Sequence, residues 1–506
     1  MDVVIDGSAL TVDEVVAVAL NDAQVTISED LDTRMEPARS LVQEVLDDDR
    51  TVYGITTGFG ALANTRVTVE QATDLQFDLL RSHAAGVGEL MNRETVRAML
   101  LCRARTLAQG YSGVRPEIVR YLISMLNNDI LPAVPSQGSV GASGDLAPFA
   151  HLALPVIGEG FVMSQDGPVP SLPVLVDHGI EPLDLLPKEG LSLLNGTEGM
   201  LAQGCIAVHR ARLLVDANDA ACALSVEALM GSERPFEERI HELRPHPGQI
   251  RSAERIRNLL AGSEISASHR EDFSHKVQDA YSLRCAPQVH GAVRDTIDYA
   301  TGVFTIELGA VVDNPIVFAG DGDVISAGNF HGQPLAFALD YLAIAITELG
   351  SISERRTDRL LDPERSAGLT PFLATNPGVS SGYMITQYTA AAIVAENRVL
   401  SHPASVESIP TSGSQEDHVS MGWGAATKLN TVLTNTARVI AVELLCAAQG
   451  MEQRDPSPAP GTAAVKGVVR SVCPPLVEDR APGPDIEEIA RLINEGAFSE
   501  IEEVRA

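Results

Sequence analysis

Gly138-Ser139-Val140-Gly141-Ala142-Ser143-Gly144-Asp145-Leu146-Ala147-Pro148-Phe149-Ala150-His151-Leu152 crowds small residues into a turn that runs straight into an apolar, helix-like stretch. Two structural readings fit this spacing. Ser143 or Asp145 could cap the first free amides of a helix, or the glycines could cradle a phosphate. The cradle is the weaker reading, because no Gly-Lys-Ser/Thr follows and a bare G-x-x-G matches many loops. A third reading is chemical. Gly144 has no β-carbon, so its backbone nitrogen can close on the Ala142 carbonyl carbon in a turn that other residues would block. Attack with loss of water gives a five-membered imidazolone, and loss of the Ser143 hydroxyl as a second water leaves an exocyclic methylene, a strong Michael acceptor. No ordinary side chain is an electrophile, so a protein that draws electrons from an amine or an aromatic ring needs a cofactor or must make one.

Outward from this loop, residues 1–205 read as one lobe. It mixes short strand-like runs with helices and carries most glycine-rich loops, among them Thr51-Val52-Tyr53-Gly54-Ile55-Thr56-Thr57-Gly58-Phe59-Gly60. Residues 206–506 form a second lobe. From Asn195-Gly196-Thr197 onward, apolar residues recur at three- and four-residue spacing, which predicts long helices over 197–231, 334–360, 384–402 and 423–453. These helices are apolar on most faces, so they belong in a large core or against other subunits. The stretch 455–467, with Pro456, Pro458, Pro460 and Gly461, reads as a surface loop, ahead of a small C-terminal helical appendage. There is no internal repeat.

Among 506 residues, 37 are basic and 68 acidic, a net charge of −31, and only four of the basic residues are lysines: Lys188, Lys276, Lys428 and Lys466. Such a carboxylate excess repels nucleic-acid phosphates and anionic lipid, and no uncharged apolar stretch is long enough to span a bilayer. It suits a salty cytoplasm, where self-repulsion is screened, and so a halophilic source; an ordinary acidic enzyme is the alternative. Six cysteines, with no C-x-x-C pair, read as buried thiols of a reducing compartment, and no metal-ligand spacing is visible. The N-terminus has no basic residue before Arg34, the wrong start for a secretory signal, so a cytoplasmic location is expected.

Gly141-Ala142-Ser143-Gly144-Asp145-Leu146-Ala147-Pro148 resembles the signature of the aromatic amino acid ammonia-lyases, whose prosthetic group is 4-methylideneimidazol-5-one (MIO), and the family's motifs follow in order from Tyr53 to at least Met421. The resemblance implies a mainly α fold: a long central helical bundle, fumarase/aspartase-like, with an N-terminal α+β lobe carrying the MIO loop. It also implies a homotetramer with shared active sites. Tyr53 resembles the tyrosine that removes the substrate's β-proton, for which its phenol must be pushed toward phenolate. Asn195 resembles the amide that supports the ring oxygen and the substrate amine; by itself, Asn195-Gly196 would be a turn or helix cap. Gln278, Tyr281 and Arg284 match a further motif. Tyr281 and Arg284 sit side by side on a helical turn, and Arg284 offers a planar fork to the substrate carboxylate. Phe330 resembles a wall of the ring pocket.

Substrate choice is read from Ser82-His83 and from Gln415-Glu416-Asp417-His418, both similar to the histidine-specific branch; Met384 also fits it. An imidazole can hydrogen-bond another imidazole, and a carboxylate buried beside a phenyl ring with no partner costs several kcal/mol in order of magnitude. The implied reaction is non-oxidative elimination of ammonia from L-histidine to trans-urocanate, without a metal. Phenylalanine or tyrosine ammonia-lyases and MIO aminomutases are rivals within the family, and a non-catalytic scaffold with an uncyclised loop is the rival outside it. Three positions depart from the family pattern: Phe149 in place of leucine, Gly413-Ser414 in place of Ala-Asn, and Glu198 in place of glutamine. The extra carboxylate of Glu198 either perturbs neighbouring groups or points to solvent.

Overall fold

Helices dominate the chain, and several of their starts follow from capping chemistry. The Thr11 hydroxyl accepts from Glu14 N at 3.1 Å, while the Glu14 carboxylate takes Thr11 N at 2.7 Å, a reciprocal box that opens helix Val12–Leu20. Thr68 and Gln71 repeat the device at Val69–His83, and the Asn92 side chain caps Arg93–Ala108 through Thr95 N. Each such cap stabilises its helix by ~1 kcal/mol. The computed structural model describes residues 2–62, 65–270 and 277–501.

Two compact units emerge, neither continuous in sequence. The first comprises Met1–His209, Thr301–Asp340 and Pro403–Thr427; the second comprises Arg210–Ala300, Tyr341–His402 and Lys428–Ala506. In the first, helix Arg93–Ala108 is buried from Thr95 to Ala108 and packs on Pro116–Asn127 and Val12–Leu20. Two of its buried arginines, Arg97 and Arg103, reach carbonyls in the last turns of neighbouring helices. Arg97 donates to Val18 O at 2.9 Å and Leu126 O at 3.2 Å, and Arg103 to Ser192 O at 2.9 Å. Strands are short and paired by twos among the described residues. Val3–Ile5 runs parallel to Val25–Ile27, in register from Val3 opposite Val25, while Val87–Leu90 and Pro135–Gln137 are antiparallel, as are Ile316–Phe318 and Asp323–Ile325.

The second unit is helical among the described residues. The expected helices are present as Glu198–Ala228, Gln333–Leu361, Met384–Leu400 and Gly422–Met451, all but Met384–Leu400 beginning in the first unit. One long helix, Ala286–Glu307, was not expected. Gly291, Gly302 and its β-branched residues lower its local propensity, and burial of Val293, Ile297 and Ala300 holds it instead. The loop read over 455–467 is also corrected, because helix Pro460–Val472 starts inside it. Pro460 sits in the first turn, where its missing N–H costs nothing, and Gly461, Thr462, Val465 and Val469 are buried.

Helices Gln333–Leu361 and Gly422–Met451 do meet the length and apolar composition of a bilayer span. Their apolar windows are 67% and 83% buried within the protein, so that apolarity serves a core. The core of the second unit also carries ions. Arg356 meets Glu443 at 2.5 Å with both side chains at 0% exposure, and Ser225 and Ser353 each donate to Glu443 at 2.7 Å. His290 donates from Nδ1 to Asp219 at 2.6 Å and accepts at Nε2 from Arg356 at 3.3 Å, so its ring is neutral; burial draws its pKa down. Every charge in this cluster has a partner, as burial demands. Five cysteines are buried, and Cys285 is partly exposed.

Candidate active site

The loop around Ser143 is held from three sides. Ser139 Oγ accepts from Gly141 N at 3.0 Å; Ser420 Oγ donates to Gly141 O at 3.1 Å; and Met421 N donates to Val140 O at 2.9 Å. On the third side Gly144 pairs with Gly196, and Asp145 N donates to Gly196 O at 2.7 Å. Gly144 has φ +77°, and a β-carbon there would stand 2.0 Å from Gly196 O. Only glycine fits this approach. Gly141 and Gly144 are buried while Ala142 and Ser143 remain partly exposed, so the loop presents one dipeptide from a fixed frame.

Asp145 stands at the start of helix Leu146–Ala153 but makes no side-chain cap there. Its carboxylate instead accepts from Met200 N at 2.8 Å, capping the long helix Glu198–Ala228. Burial, reinforced by the Glu198 charge and opposed by these hydrogen bonds, pushes the Asp145 carboxyl up to about 8. Glu198 does not face solvent: it is paired with Arg103 at 2.6 Å, their side chains 2% and 0% exposed. Phe149, fully buried, lies with its ring centroid 5.9 Å from that guanidinium, which gives the larger side chain a role leucine could not fill.

Ser143 Oγ donates to Glu416 Oε1 at 3.2 Å, and Thr411 Oγ1 holds the other carboxylate oxygen at 2.7 Å. Thr411 and Glu416 also exchange backbone bonds across Ser412–Ser414, where Gly413 adopts φ +61°. The same turn receives the Tyr53 loop, since Ser412 Oγ accepts from Ala61 N at 3.3 Å. Tyr53 is partly buried; its hydroxyl accepts from Gly60 N at 3.3 Å, and its ring meets Phe59 edge-on at 6.4 Å. The surroundings do not push this phenol toward phenolate. Burial raises its pKa, the Gly60 bond opposes that, and the Glu416 charge adds to the rise.

His83 closes helix Val69–His83 and turns Nδ1 onto Leu79 O at 2.9 Å. A carbonyl can only accept, so Nδ1 carries the proton and Nε2 is left as an acceptor. Burial lowers the His83 pKa, with the Leu79 bond and the Glu416 charge opposing. Glu416 therefore acts electrostatically on both Tyr53 and His83 while touching Ser143. Asn195, 3% exposed, donates from Nδ2 to Asp313 Oδ1 at 3.3 Å and Asn314 O at 3.0 Å. Phe330 is partly buried in the turn closed by His331 N on Gly328 O at 2.9 Å.

Gln278, Tyr281 and Arg284 belong to the second unit. Tyr281 is 70% exposed at the start of the short helix Tyr281–Arg284, with the Arg284 guanidinium 4.5 Å from its ring centroid and Arg284 Nε bonded to Asp279 O at 3.0 Å. Gln278 is exposed in the preceding segment. The residues that brace the site, namely Arg103, Thr411, Asp313, Lys188 and Ser420, escaped sequence reasoning. They lie outside the motifs, and only the proximity of glycine pairs could have hinted at them. Among the described residues no cluster of three potential metal ligands occurs.

A glycine-locked Ala-Ser-Gly turn beside a carboxylate, an imidazole and a phenol is a constellation with relatives. The model of the aromatic amino acid lyases matches residues 10–471. The histidine ammonia-lyase of Gloeobacter violaceus is 51% identical over 498 residues, covering 98% of this chain and 96% of the relative. Among solved structures, histidine ammonia-lyase from Trypanosoma cruzi superposes with a TM-score of 0.90 at 43% identity, covering 99% of this chain and 95% of the other. Tyrosine aminomutase from Streptomyces globisporus superposes with a TM-score of 0.95 at 39% identity, covering 100% of each. With the family model matched over residues 10–471 and a relative 51% identical over 98% of the chain, the chain belongs to the aromatic amino acid lyase family, enzymes that break carbon–nitrogen bonds.

Proposed function

We propose that this chain eliminates ammonia from L-histidine to give trans-urocanate, the first step of histidine breakdown. The observation that carries the proposal is the placement of Glu416, which meets the Ser143 hydroxyl that ring formation would expel and acts on His83 and Tyr53. His83 Nε2 and the Glu416 carboxylate are both acceptors, and an imidazole can donate N–H to them. A phenylalanine ring has nothing to donate, so these acceptors would be stripped of water without compensation.

The tight turn at Gly144, whose missing β-carbon lets the Gly196 backbone close against it, fits MIO formed from Ala142-Ser143-Gly144, which would supply the electrophile that makes ammonia a competent leaving group. Tyr53 takes the β-proton. Because burial raises its pKa, phenolate is the minority form until the cationic amine of the substrate approaches. Arg284, stacked on Tyr281, is suited to a substrate carboxylate, and the resemblance gives Gln278 and Phe330 substrate-binding roles. Large apolar side chains remain exposed on the long helices of the single chain, among them Phe337 at 52%, Tyr388 at 62% and Val399 at 75%, and a homotetramer with shared sites would cover them. The enzyme is read as cytoplasmic and salt-adapted.

The overlap with tyrosine aminomutase favours a second reading, because a tyrosine hydroxyl could also donate to Glu416. Incubation with histidine, tyrosine and phenylalanine in parallel decides between them. Urocanate from histidine alone is expected; equal turnover of the other two, or a β-amino acid product, overturns the histidine assignment. Intact mass should show a deficit of two waters that Ser143→Ala abolishes together with turnover.

A further inference from the structure

Asn195 is braced by a buried ionic cluster that the proposed chemistry does not use. Asp313, at 0% exposure, accepts from Lys188 Nζ and from Ser192 Oγ, each at 2.8 Å on Oδ2. Its other oxygen takes the Asn195 amide at 3.3 Å and Asn314 N at 2.7 Å. Lys188 is itself 0% exposed and bonds Ser192 Oγ at 2.8 Å. Lysine is rare in this chain, used four times in 506 residues. Here it is also held at φ +83°, a left-handed backbone that costs a non-glycine residue roughly 1–2 kcal/mol. Glycine would suit that backbone better, so the side chain is what the position keeps. A compact ammonium also fits a closed cavity where a guanidinium fork would not.

The cluster dictates which way the Asn195 amide faces. Burial raises the Asp313 carboxyl, but the charges of Lys188 and Arg103 and the bonds from Lys188 and Ser192 outweigh it and hold the group below its ordinary value. Asp313 is thus an acceptor only, and so is the Asn314 carbonyl. Both amide hydrogens of Asn195 are consumed by these two acceptors, and a flipped amide would set its oxygen against two others. Asn195 Oδ1 takes no hydrogen bond among the described residues and is the side chain's one unspent polar atom.

We infer that Lys188 and Asp313 are positioning residues that fix Asn195 with its amide oxygen, not its NH2, offered to the substrate, so that Asn195 recognises the N–H groups of the reacting amine. The inference rests on the site reading above and changes the role that the resemblance implies for Asn195, which does not donate to a ring oxygen. Two ligands separate this role from a purely structural one. Histidine carries the amine, whereas 3-(imidazol-4-yl)propionate presents the same ring and carboxylate without it.

The test compares wild type with Asn195→Ala and with the double variant Lys188→Met/Asp313→Asn, which removes both charges so that neither is stranded. For the double variant, kcat/KM on histidine should fall about 100-fold while the inhibition constant of the propionate stays within about twofold and the two-water mass deficit persists. Histidine turnover near the wild-type value, or parallel weakening of the propionate, overturns the inference. Should the double variant fail to fold, Ser192→Ala decides: it removes one bond to Asp313 and one to Lys188, and it should show the same split at about fivefold. An Asn195→Ala enzyme with undiminished turnover would sink the site reading itself. Loss there but not in the charge variants sinks only the positioning role.

Discussion

Glu416 illustrates how one side chain is shared among several tasks. It accepts from Ser143 and Thr411, and its charge raises the pKa of both Tyr53 and His83. Glu416→Gln keeps the size and the Thr411 bond but removes the charge, so both pKa values should fall. With Tyr53 as the proposed base, the rising limb of kcat/KM against pH then moves to lower pH. The plateau drops about 10- to 100-fold as the proposed carboxylate bond to the substrate ring is lost. A limb that stays in place would remove Tyr53 from the role of base. Asp145 offers a second test. Its pKa rises from 3.8 in the free carboxyl to about 8 in the fold, so between those limits the native state holds more protons than the unfolded one. Stability must then fall as pH rises through that window, by about 1.4 kcal/mol per pH unit for one proton, and level off above it. Asp145→Asn can still accept from Met200 N and should flatten that slope, which denaturation at stepped pH would reveal.

Among elements, the Ala142–Gly144 turn depends on a backbone approach that nothing in local propensity announces. Gly144→Ala places a methyl 2.0 Å from Gly196 O at φ +77°. The expected result is loss of the two-water mass deficit together with destabilisation of several kcal/mol in order of magnitude. An intact mass deficit in that variant would mean the turn can relax without Gly144. The long helices were legible because burial imposes a 3.6-residue period on apolar residues. Ala286–Glu307 was not, since its glycines and threonines hide that period, and Pro460–Val472 was not, because a proline that begins a helix looks like one that breaks it. Tyr281 and Arg284 did stack as their spacing implied. The Tyr53 environment did not follow from sequence, because desolvation is a property of surroundings that motif spacing cannot contain.

For the whole molecule, net charge is the dominant fact. With −31 charges, repulsion between carboxylates is long-ranged in dilute buffer and damped once the screening length shortens from ~10 Å at 0.1 M salt to ~3 Å at 1 M. The thermal midpoint should rise by several degrees over that range, as scanning calorimetry in stepped KCl would show. Full stability without salt would return the chain to the ordinary acidic enzymes. The sequence by itself determined the Ala142-Ser143-Gly144 motif, the long helices and the family, because a short motif and helical periodicity are local properties. It also singled out His83 and Glu416, the pair on which the proposed histidine specificity rests. Only the tertiary structure decided that Glu198 is paired with Arg103, that Asp145 caps a helix other than its own, and which way the Asn195 amide faces. Each of these depends on a partner 50 or more residues away and on the exclusion of water between them, and no local pattern encodes that exclusion.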